Sequence, residues 1–416
     1  MGKMRLLAPA GGPEQLDMAI HFGADEVYLA GSEWGMRARS ENFDRPQLAR
    51  AVERAHAAGV AVHLAVNTLM LDSDIDRLPD YLRFVDAVGV DAAIVADLGA
   101  IALVREHAPH VEVHVSTQAS VMNARAAEEY ARLGARRVVL ARELTVGEVA
   151  GIRRRLDADG FEDLELEVFA HGSMCMAVSG RCLLSSEMAG RSRGASFGAC
   201  AQPCRWSYRL VEERRPEERQ MPVEYDGRWS YVLSSNDLEM LDHLDDLEGA
   251  GVSAIKLEGR AKGAYYTATV TNAYRHVLDG EPASRWMGEL DATSHRPFST
   301  GFFYGDPTQN PGDVDYLREK VMVATVASCA PTAPGSVGAQ GRGGYLVEVV
   351  CRNKARVGDE LEAVCVGEPV RALRLEGLEH HDALAGWERA GELSRAMERY
   401  RLISPFPLRP LDVLRR

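Results

Sequence analysis

The sequence predicts an α/β fold: a (β/α)8 TIM-like barrel with a hairpin insertion, followed by a small C-terminal all-β barrel domain. Three observations predict it. Through the first two-thirds of the chain, short apolar segments of strand type alternate with amphipathic helical segments. The sequence contains no G-x-G-x-x-G fingerprint of the kind that a doubly wound nucleotide-binding sheet normally carries. Near residue 316 the alternation gives way to short strands separated by turns rich in Gly and Pro.

Eight segments are predicted to be barrel strands because they are short and mostly rich in Val, Ile, Leu and Ala, as strands buried on both faces are. They span residues 6–10, 26–30, 61–67, 92–97, 112–118, 137–144, 164–170 and 254–258. Helices with apolar residues at i, i+3 and i+4 are predicted at 14–22, 45–58 and 124–133. The last two end just before Gly59 and Gly134, and glycine is the residue expected immediately beyond a helix C-terminus.

The barrel domain is predicted to cover residues 1–315 and the small β domain residues 316–416. The alternation breaks between the seventh and eighth strands, where an insertion at about 172–233 holds strand-like runs at 206–213 and 221–234. Long insertions without a core of their own are usually functional, so we expect this one on the catalytic face of the barrel. Strands of the β domain are predicted at 321–326, 344–351, 359–366 and 370–375.

Composition narrows the classes of function. The 416 residues have a formal net charge of −13, and this global charge argues against a nucleic-acid partner. The N-terminal residues contain no apolar run of signal-peptide length, and no later segment is long and apolar enough for a membrane span. We therefore expect a cytoplasmic protein whose thiols are kept reduced.

Between residues 181 and 209 the local charge is reversed, because five arginines accompany the single acid Glu187. Phosphate groups are a plausible target for such a patch, and an aromatic side chain beside it can stack on a base. The sequence therefore predicts an RNA-binding surface formed by Arg181, Arg191, Arg193, Arg205 and Trp206. The alternative is that these arginines cap helices or pair with distant acids and that Trp206 packs in the hairpin core.

Four cysteines occur close together in the same insertion. Cys175, Cys182, Cys200 and Cys204 follow the spacing C-x6-C-x17-C-x3-C. Structural zinc sites usually show two short pairs such as C-x2-C, whereas irregular loop cysteines beside an enzyme-like opening suit a 4Fe-4S cluster better. We predict that the four thiols hold such a cluster. Zinc is the less favoured metal, and the absence of any bound metal is a further alternative. The remaining cysteines are expected to be small buried hydrophobes.

In a TIM-like barrel the carboxyl ends of the strands face the active site. Polar residues occupy these positions, namely Asn67, Asp97, Ser116, Gln118, Arg142, Glu143, His171, Glu258 and Arg260. His171, Glu143 and Glu258 are the catalytic candidates, although the sequence assigns no role to any of them. A peptidase needs an activated nucleophile or a metal-bound water, and the chain has neither H-E-x-x-H nor G-x-S-x-G. Ser173 or Cys175 beside His171 remain arrangements that the sequence leaves open.

Several motifs resemble one known family. The pattern that begins at Glu167 and Phe169, runs through Gly172-Ser173-Met174-Cys175 and ends at Gly180, Cys182 and Ser185 resembles the signature of the collagenase-like peptidase family U32. Segments at 6–11, 24–29, 235–238, 255–260 and 298–302 are similar to the same family. The run 200–206 (C-A-Q-P-C-R-W) resembles most closely its tRNA 5-hydroxyuridine branch. Sister branches hydroxylate ribosomal RNA or serve ubiquinone synthesis with a 4Fe-4S cluster.

The resemblance implies a tRNA-modifying enzyme that hydroxylates the wobble uridine to 5-hydroxyuridine. Its implied cofactor is a 4Fe-4S cluster, its hydroxyl donor derives from prephenate, and its partners are tRNA and a small-molecule co-substrate. Cys175 and Cys182 match the family's cluster ligands directly, whereas the later ligands vary among branches. Two alternatives remain: a collagenase-like peptidase, and a non-catalytic iron–sulfur assembly or binding protein.

Overall fold

A computed structural model gives the fold and describes residues 3–35, 42–174, 184–189, 200–201, 203, 236–305, 317–332, 344–382, 384 and 386–416. The predicted hairpin runs at 206–213 and 221–234 lie outside these residues. So does the predicted boundary between the two domains at 315/316, which stays a prediction.

The first sheet is a closed parallel barrel with a short extension. Its strands are β1 (Arg5–Pro9), β2 (Glu26–Leu29), β3 (Ala61–Val66), β4 (Ala92–Val95), β5 (Glu112–Val115), β6 (Ala135–Val139), β7 (Glu165–Ser173), β8 (Asp237–Glu239), β9 (Ala254–Leu257) and β10 (Phe298–Ser299). Strands β1 to β7 pair in chain order, and β9 closes the barrel because it pairs in parallel with both β7 and β1. The eight predicted barrel strands and the TIM-like fold are thus confirmed.

The extension lies at the carboxyl end of β7. Strand β8 pairs antiparallel with the segment from His171 to Ser173, and β10 pairs in parallel with β8. Because β7 runs nine residues, it continues past the barrel rim and carries this small sheet above the opening. The insertion that follows Met174 therefore leaves the barrel at the face where a TIM-like active site forms.

Helices cover the outside of the barrel. They are α1 (Pro13–His21), α2 (Arg45–His56), α3 (Asp72–Ile75), α4 (Leu78–Ala87), α5 (Leu98–His107), α6 (Ala124–Arg132), α7 (Val146–Ala158), α8 (Leu184–Ala189), α9 (Leu244–Gly249), α10 (Ala264–Leu278) and α11 (Met287–Asp291). Gly59 and Gly134 have φ values of +74° and +95°, the left-handed conformation that ends a helix at little steric cost to glycine. The predicted helix stops are confirmed at both positions.

Alternate residues of each barrel strand point outward and form the main core against these helices. Leu6, Val62, Val113, Val168 and Ile255 belong to this core, and each is at most 3% exposed. Side chains of successive residues point to opposite faces of a strand, so their neighbours must fill the barrel interior. The candidate site depends on those neighbours.

The second sheet is antiparallel and follows the barrel in sequence. Its elements are β11 (Met322–Pro331), β12 (Tyr345–Cys351), β13 (Ala355–Arg356), β14 (Glu360–Val364), β15 (Arg371–Arg374), β16 (Glu376–Asp382), β17 (Gly386–Arg389), β18 (Glu392–Leu393), β19 (Arg399–Ser404) and β20 (Val413–Arg415). Eight of them form one sheet in the order β15-β14-β20-β11-β12-β19-β16-β17, while β13 pairs with β18. The four predicted strands are observed. Strands β13 and β16 to β20 were not predicted; in β16 and β17 charged residues hide the alternation of apolar positions.

The two sheets are joined through α1 and α10. Met18 and Phe22 of α1 pack with Val364 and Val413 of the second sheet. Arg415, only 3% exposed at its side chain, makes two 2.7 Å ion-pair contacts with the Glu289 carboxylate. Among the residues that the structure describes, none of the helices combines the length and apolar character needed to cross a bilayer.

Candidate active site at the barrel mouth

The lower half of the barrel interior is charged. Arg137 on β6 reaches across the barrel to Glu26 on β2, with Nη1 and Nη2 at 2.6 and 2.8 Å from its two carboxylate oxygens. Since β6 and β2 are not neighbours in the sheet, this contact runs through the interior. Arg137 also donates to Glu165 at 2.8 Å and to Glu167 at 3.0 Å. Burial opposes the guanidinium charge, but these carboxylates outweigh it and raise the pKa of Arg137.

Two histidines lie at the next level of the interior. The rings of His63 on β3 and His114 on β5 meet edge to face with centroids 4.7 Å apart. Burial, followed by neighbouring positive charges that include Arg137, lowers the pKa of both imidazoles well below the ordinary value. Both rings are therefore neutral in the folded protein. The Nδ1 atom of each has no hydrogen-bond partner among the described residues.

The linked side chains of Glu26, Arg137, Glu165 and Glu167 form a charged column inside the barrel. Lys256 on β9 lies at its upper end. Its Nζ donates to Glu167 Oε1 at 3.3 Å and sits 4.2 Å from the centroid of the Tyr28 ring. The residue is 4% exposed. Burial lowers the pKa of the Lys256 ammonium, while the Glu167 carboxylate acts in the opposite direction. Here the carboxylate and the aromatic ring fix the position of the ammonium group, and little solvent is present to screen its charge.

Small side chains surround the opening above Lys256. Leu7, Tyr28 and Ile94 form a separate apolar cluster inside the barrel, and Lys256 pairs in register with Leu7. One pleat further toward the carboxyl ends, the alternation assigns inward positions to Pro9, Ala30, Ala65, Ala96, Ser116, Ala141, Phe169 and Glu258. Because most of these side chains are small, the mouth has more room than the Tyr28–Ile94 level below it.

Two cations flank the one aromatic ring of this rim. The guanidinium carbon of Arg142 lies 3.7 Å from the centroid of the Phe169 ring, and Lys256 Nζ lies 5.6 Å from the same centroid. Arg142 Nη1 also donates to the carbonyl oxygen of Ser173 at 2.9 Å, which fixes the guanidinium over the ring. The mouth thus offers a planar surface and positive charge in one place, a combination that suits a polar aromatic ring.

The close approach of β7 and β9 shapes this rim. Gly172 has φ +102°, and a Cβ atom there would lie 2.6 Å from the carbonyl oxygen of Glu258. Only glycine combines that conformation with that contact. Tyr266 of α10 then donates its hydroxyl to the same Glu258 oxygen at 2.8 Å. The segment 258–260 is thereby held against the end of β7.

His171, a predicted catalytic candidate, is 1% exposed and packs against α10 and β10. Its ring lies 5.5 Å from Tyr274, 6.0 Å from Tyr266 and 5.6 Å from Phe298, centroid to centroid. Burial, reinforced by Lys262 and His295, lowers the pKa of His171 to about 3, so the imidazole is neutral. Its contacts are those of a packed aromatic core, and a catalytic role for it stays a prediction.

The other predicted polar positions divide into caps and rim residues. Asp97 caps α5 by accepting from the backbone N–H of Ala100 at 3.1 Å, so its side chain serves the helix. Ser116 accepts from the side-chain amide of Asn67 at 3.4 Å at the rim. Glu258 is 7% exposed and Glu143 half-buried, and catalytic roles for these two remain predictions.

Most of the predicted metal and RNA ligands lie outside the described residues: Cys175, Cys182, Cys204, Arg181, Arg191, Arg193, Arg205 and Trp206. Cys200 is described and exposed. In the part of the chain that the structure covers, no three His, Cys, Asp or Glu side chains converge as a metal site. Met174, the residue before Cys175, is 6% exposed and follows the last residue of β7. The cysteine segment therefore starts directly at the barrel mouth.

A sequence model of peptidase family U32 matches residues 11–312. The chain belongs to this family. The match spans strands β2 to β10, the cysteine segment and the rim residues other than Pro9. The resemblance inferred from the motif at 167–185 is thus confirmed.

Three relatives show the range of names within peptidase family U32. The chain is 37% identical over 313 residues to tRNA hydroxylation protein P1 of Bacillus subtilis (strain 168), covering 73% of this chain and 72% of the relative. It is 31% identical over 405 residues to tRNA hydroxylation protein P of Escherichia coli (strain K12), covering 87% and 86%. It is 35% identical over 314 residues to a collagenase of Porphyromonas gingivalis (strain ATCC BAA-308 / W83), covering 72% and 73%.

Sequence reasoning placed the candidate site at the carboxyl ends of the strands, and it overlooked the charged side chains in the barrel interior below them. Lys256 is the one charged residue of β9, whose other residues are Ala, Ile and Leu, and Arg137 is the buried one of two adjacent arginines in β6; both were visible in the sequence. A charge in the middle of a buried strand is costly unless it is paired, so it points to a partner on another strand. Which carboxylate serves as that partner depends on the barrel register.

Proposed function

We propose that this protein hydroxylates the wobble uridine of tRNA to 5-hydroxyuridine. The observation that carries the proposal is the 31% identity over 405 residues to tRNA hydroxylation protein P of Escherichia coli (strain K12), because it covers 87% of this chain. That span is longer than the 302 residues of the family match at 11–312, so the likeness extends into the C-terminal sheet. The reaction replaces the hydrogen on C5 of the base by a hydroxyl group, so the enzyme would be of oxidoreductase type. As part of the same proposal, it would act on tRNA in the cytoplasm.

The barrel mouth supports a flipped-base mechanism. An enzyme that modifies a base must take it out of the stack and hold it in a pocket by stacking and by hydrogen bonds to its edge. The rim of small side chains leaves space, the Arg142 guanidinium lying over the Phe169 ring offers a cationic surface for a base, and Lys256 brings positive charge toward the carbonyl oxygens of that base. These residues bind and orient the base in this proposal.

A 4Fe-4S cluster held by Cys175, Cys182, Cys200 and Cys204 is part of the proposal. Thiolates are the usual ligands of such clusters, and the cysteine segment begins one residue beyond the buried Met174 at the barrel mouth. When bound, the cluster would supply electron transfer beside the substrate. Zinc on the same thiols is the alternative metal. The hydroxyl donor derived from prephenate, a small-molecule co-substrate, also stays a prediction.

A peptidase activity is the second candidate function, favoured by the 35% identity to the Porphyromonas gingivalis collagenase. The local geometry gives it little support. Within the described part of the chain, no serine hydroxyl or cysteine thiol hydrogen-bonds to His171, whose Nδ1 lies 3.4 Å from the Tyr274 hydroxyl instead. A serine or thiol nucleophile needs such a base within hydrogen-bond reach.

Nucleoside analysis of total tRNA from a deletion strain tests the proposal. We expect 5-hydroxyuridine and nucleosides derived from it to disappear, and a plasmid copy of the gene to restore them. A matched strain carrying a variant with Cys175 and Cys182 both replaced by Ala should remain deficient. An unchanged nucleoside profile, together with cleavage of collagen peptides by the purified protein, would transfer the assignment to the peptidase reading.

A further inference from the structure

Among the described residues, Lys256 is the cation on a barrel strand whose side chain lies between the charged interior and the mouth. Arg5 and Arg137 lie lower, among Glu26 and Glu165. Lys256 pairs in register with Leu7, one pleat below the rim residue Pro9, and with Phe169 of the rim itself. Its Nζ lies between the rings of Tyr28 and Phe169, at 4.2 and 5.6 Å from their centroids.

The hydrogen-bonding capacity of this ammonium is only partly used. An ammonium carries three donors, and among the described residues Lys256 makes one hydrogen bond, to Glu167 at 3.3 Å. Arg137, by contrast, places its donors on three carboxylates. A buried cation with unused donors is costly to a fold unless another group completes its shell.

Glu167 does not require Lys256 as its partner. The carboxylate also accepts from Arg137 Nη1 at 3.0 Å, so it would keep a cation if Lys256 were replaced by an apolar side chain. Charge balance inside the barrel therefore gives no full account of Lys256. The remaining donors are best explained by an acceptor that enters from the mouth.

We propose that Lys256 binds the C4 carbonyl oxygen of the uracil ring that enters the barrel mouth. This inference rests on the proposed function. An ammonium can only donate, and the C4 substituent of uracil is an acceptor, whereas the C4 amino group of cytosine is a donor. C5 is bonded to C4, so this hydrogen bond also fixes the position of the carbon that is hydroxylated. Lys256 thus orients the base and selects uridine over cytidine.

Binding of synthetic anticodon stem–loop RNAs to the full-length protein tests this role. One RNA carries uridine at the wobble position and a matched RNA carries cytidine. We expect the wild type to prefer the uridine RNA by about 10- to 100-fold, the range of a hydrogen bond to a charged group. Lys256→Met should abolish that preference by weakening the uridine complex alone, with a thermal midpoint equal to or above that of the wild type.

Lys256→Gln provides a second variant with a distinct expectation. A side-chain amide both donates and accepts, so this variant should bind the uridine and cytidine RNAs about equally. If Lys256→Met does not fold, the uridine-over-cytidine preference of Lys256→Gln alone tests the inference. A Lys256→Gln or Lys256→Met protein that keeps the wild-type preference for uridine would refute the inference.

The outcomes separate this inference from the proposed function. A wild-type protein that binds neither RNA, with tRNA nucleosides unchanged in the deletion strain, would overturn both. A wild-type protein that is required for 5-hydroxyuridine but binds both RNAs equally would overturn only the role of Lys256. Preference in the wild type and its loss in both variants would support the two together.

Discussion

Replacing Arg137 with Met should destabilise the barrel strongly. Arg137 is 2% exposed and holds Glu26, Glu165 and Glu167 by hydrogen bonds of 2.6–3.0 Å. Its loss leaves three carboxylates with two cations, since Arg5 still contacts Glu26 at 3.1 Å and Lys256 still contacts Glu167 at 3.3 Å. Removing one partner from a buried ion pair costs about 3–5 kcal/mol, and the remaining cations keep this variant within that range.

Urea unfolding followed by circular dichroism measures the effect, and the thermal midpoint should fall by on the order of 10 °C. Arg54→Met is the matched control. Arg54 is 52% exposed and pairs with Asp17 at 3.0 Å, so its loss should cost at most about 1 kcal/mol. If Arg137→Met is no less stable than Arg54→Met, the charged column does not stabilise the barrel and the reasoning is wrong.

Three further predictions concern His171, Gly172 and Cys175. Burial lowers the pKa of His63, His114 and His171 and holds these imidazoles neutral, so as pH falls below about 6.5 the unfolded chain takes up protons that the folded protein does not, and each of the three should cost about 1.4 kcal/mol per pH unit. Because the folded pKa of His171 is about 3, His171→Phe should flatten the slope of unfolding free energy between about pH 6.5 and 5 relative to the wild type; equal slopes in the two proteins would contradict this. Gly172→Ala should destabilise by about 1–3 kcal/mol, more than Gly160→Ala, which shares a positive φ but has open space around it; the reverse order in urea unfolding would reject the close-approach argument. Cys175→Ala should lower the iron content of anaerobically purified protein, whereas replacing Cys329, Cys351 or Cys365 with Ala should not. Undiminished iron in Cys175→Ala would remove Cys175 from the ligand set.

Much of the fold was predictable because burial on both faces leaves a local pattern. Strands such as β3 and β4 are nearly continuous runs of small and branched apolar residues, and that composition is visible without knowing their neighbours. Helix stops at Gly59 and Gly134 were predictable for an equally local reason, the left-handed φ that glycine accepts.

The later strands of the C-terminal sheet were not predictable in this way. Strand β16 carries Glu379, His380 and His381, and β17 carries Glu388 and Arg389, so neither has a run of apolar residues. Their pairing with each other and with β19 supplies the hydrogen bonds that hold them in the sheet. Such strands are set by their neighbours rather than by their own side chains.

The sequence by itself determined the barrel strands, the helix ends, the family motif and the presence of four cysteines in the segment that follows β7, because each is a local pattern of residue types. Only the tertiary structure decided which charges meet inside the barrel. Glu26 and Arg137 are 111 residues apart, and Glu167 and Lys256 are 89 apart. Closure of the sheet in one register brings these side chains together, and a shift of one residue would turn them toward the helices.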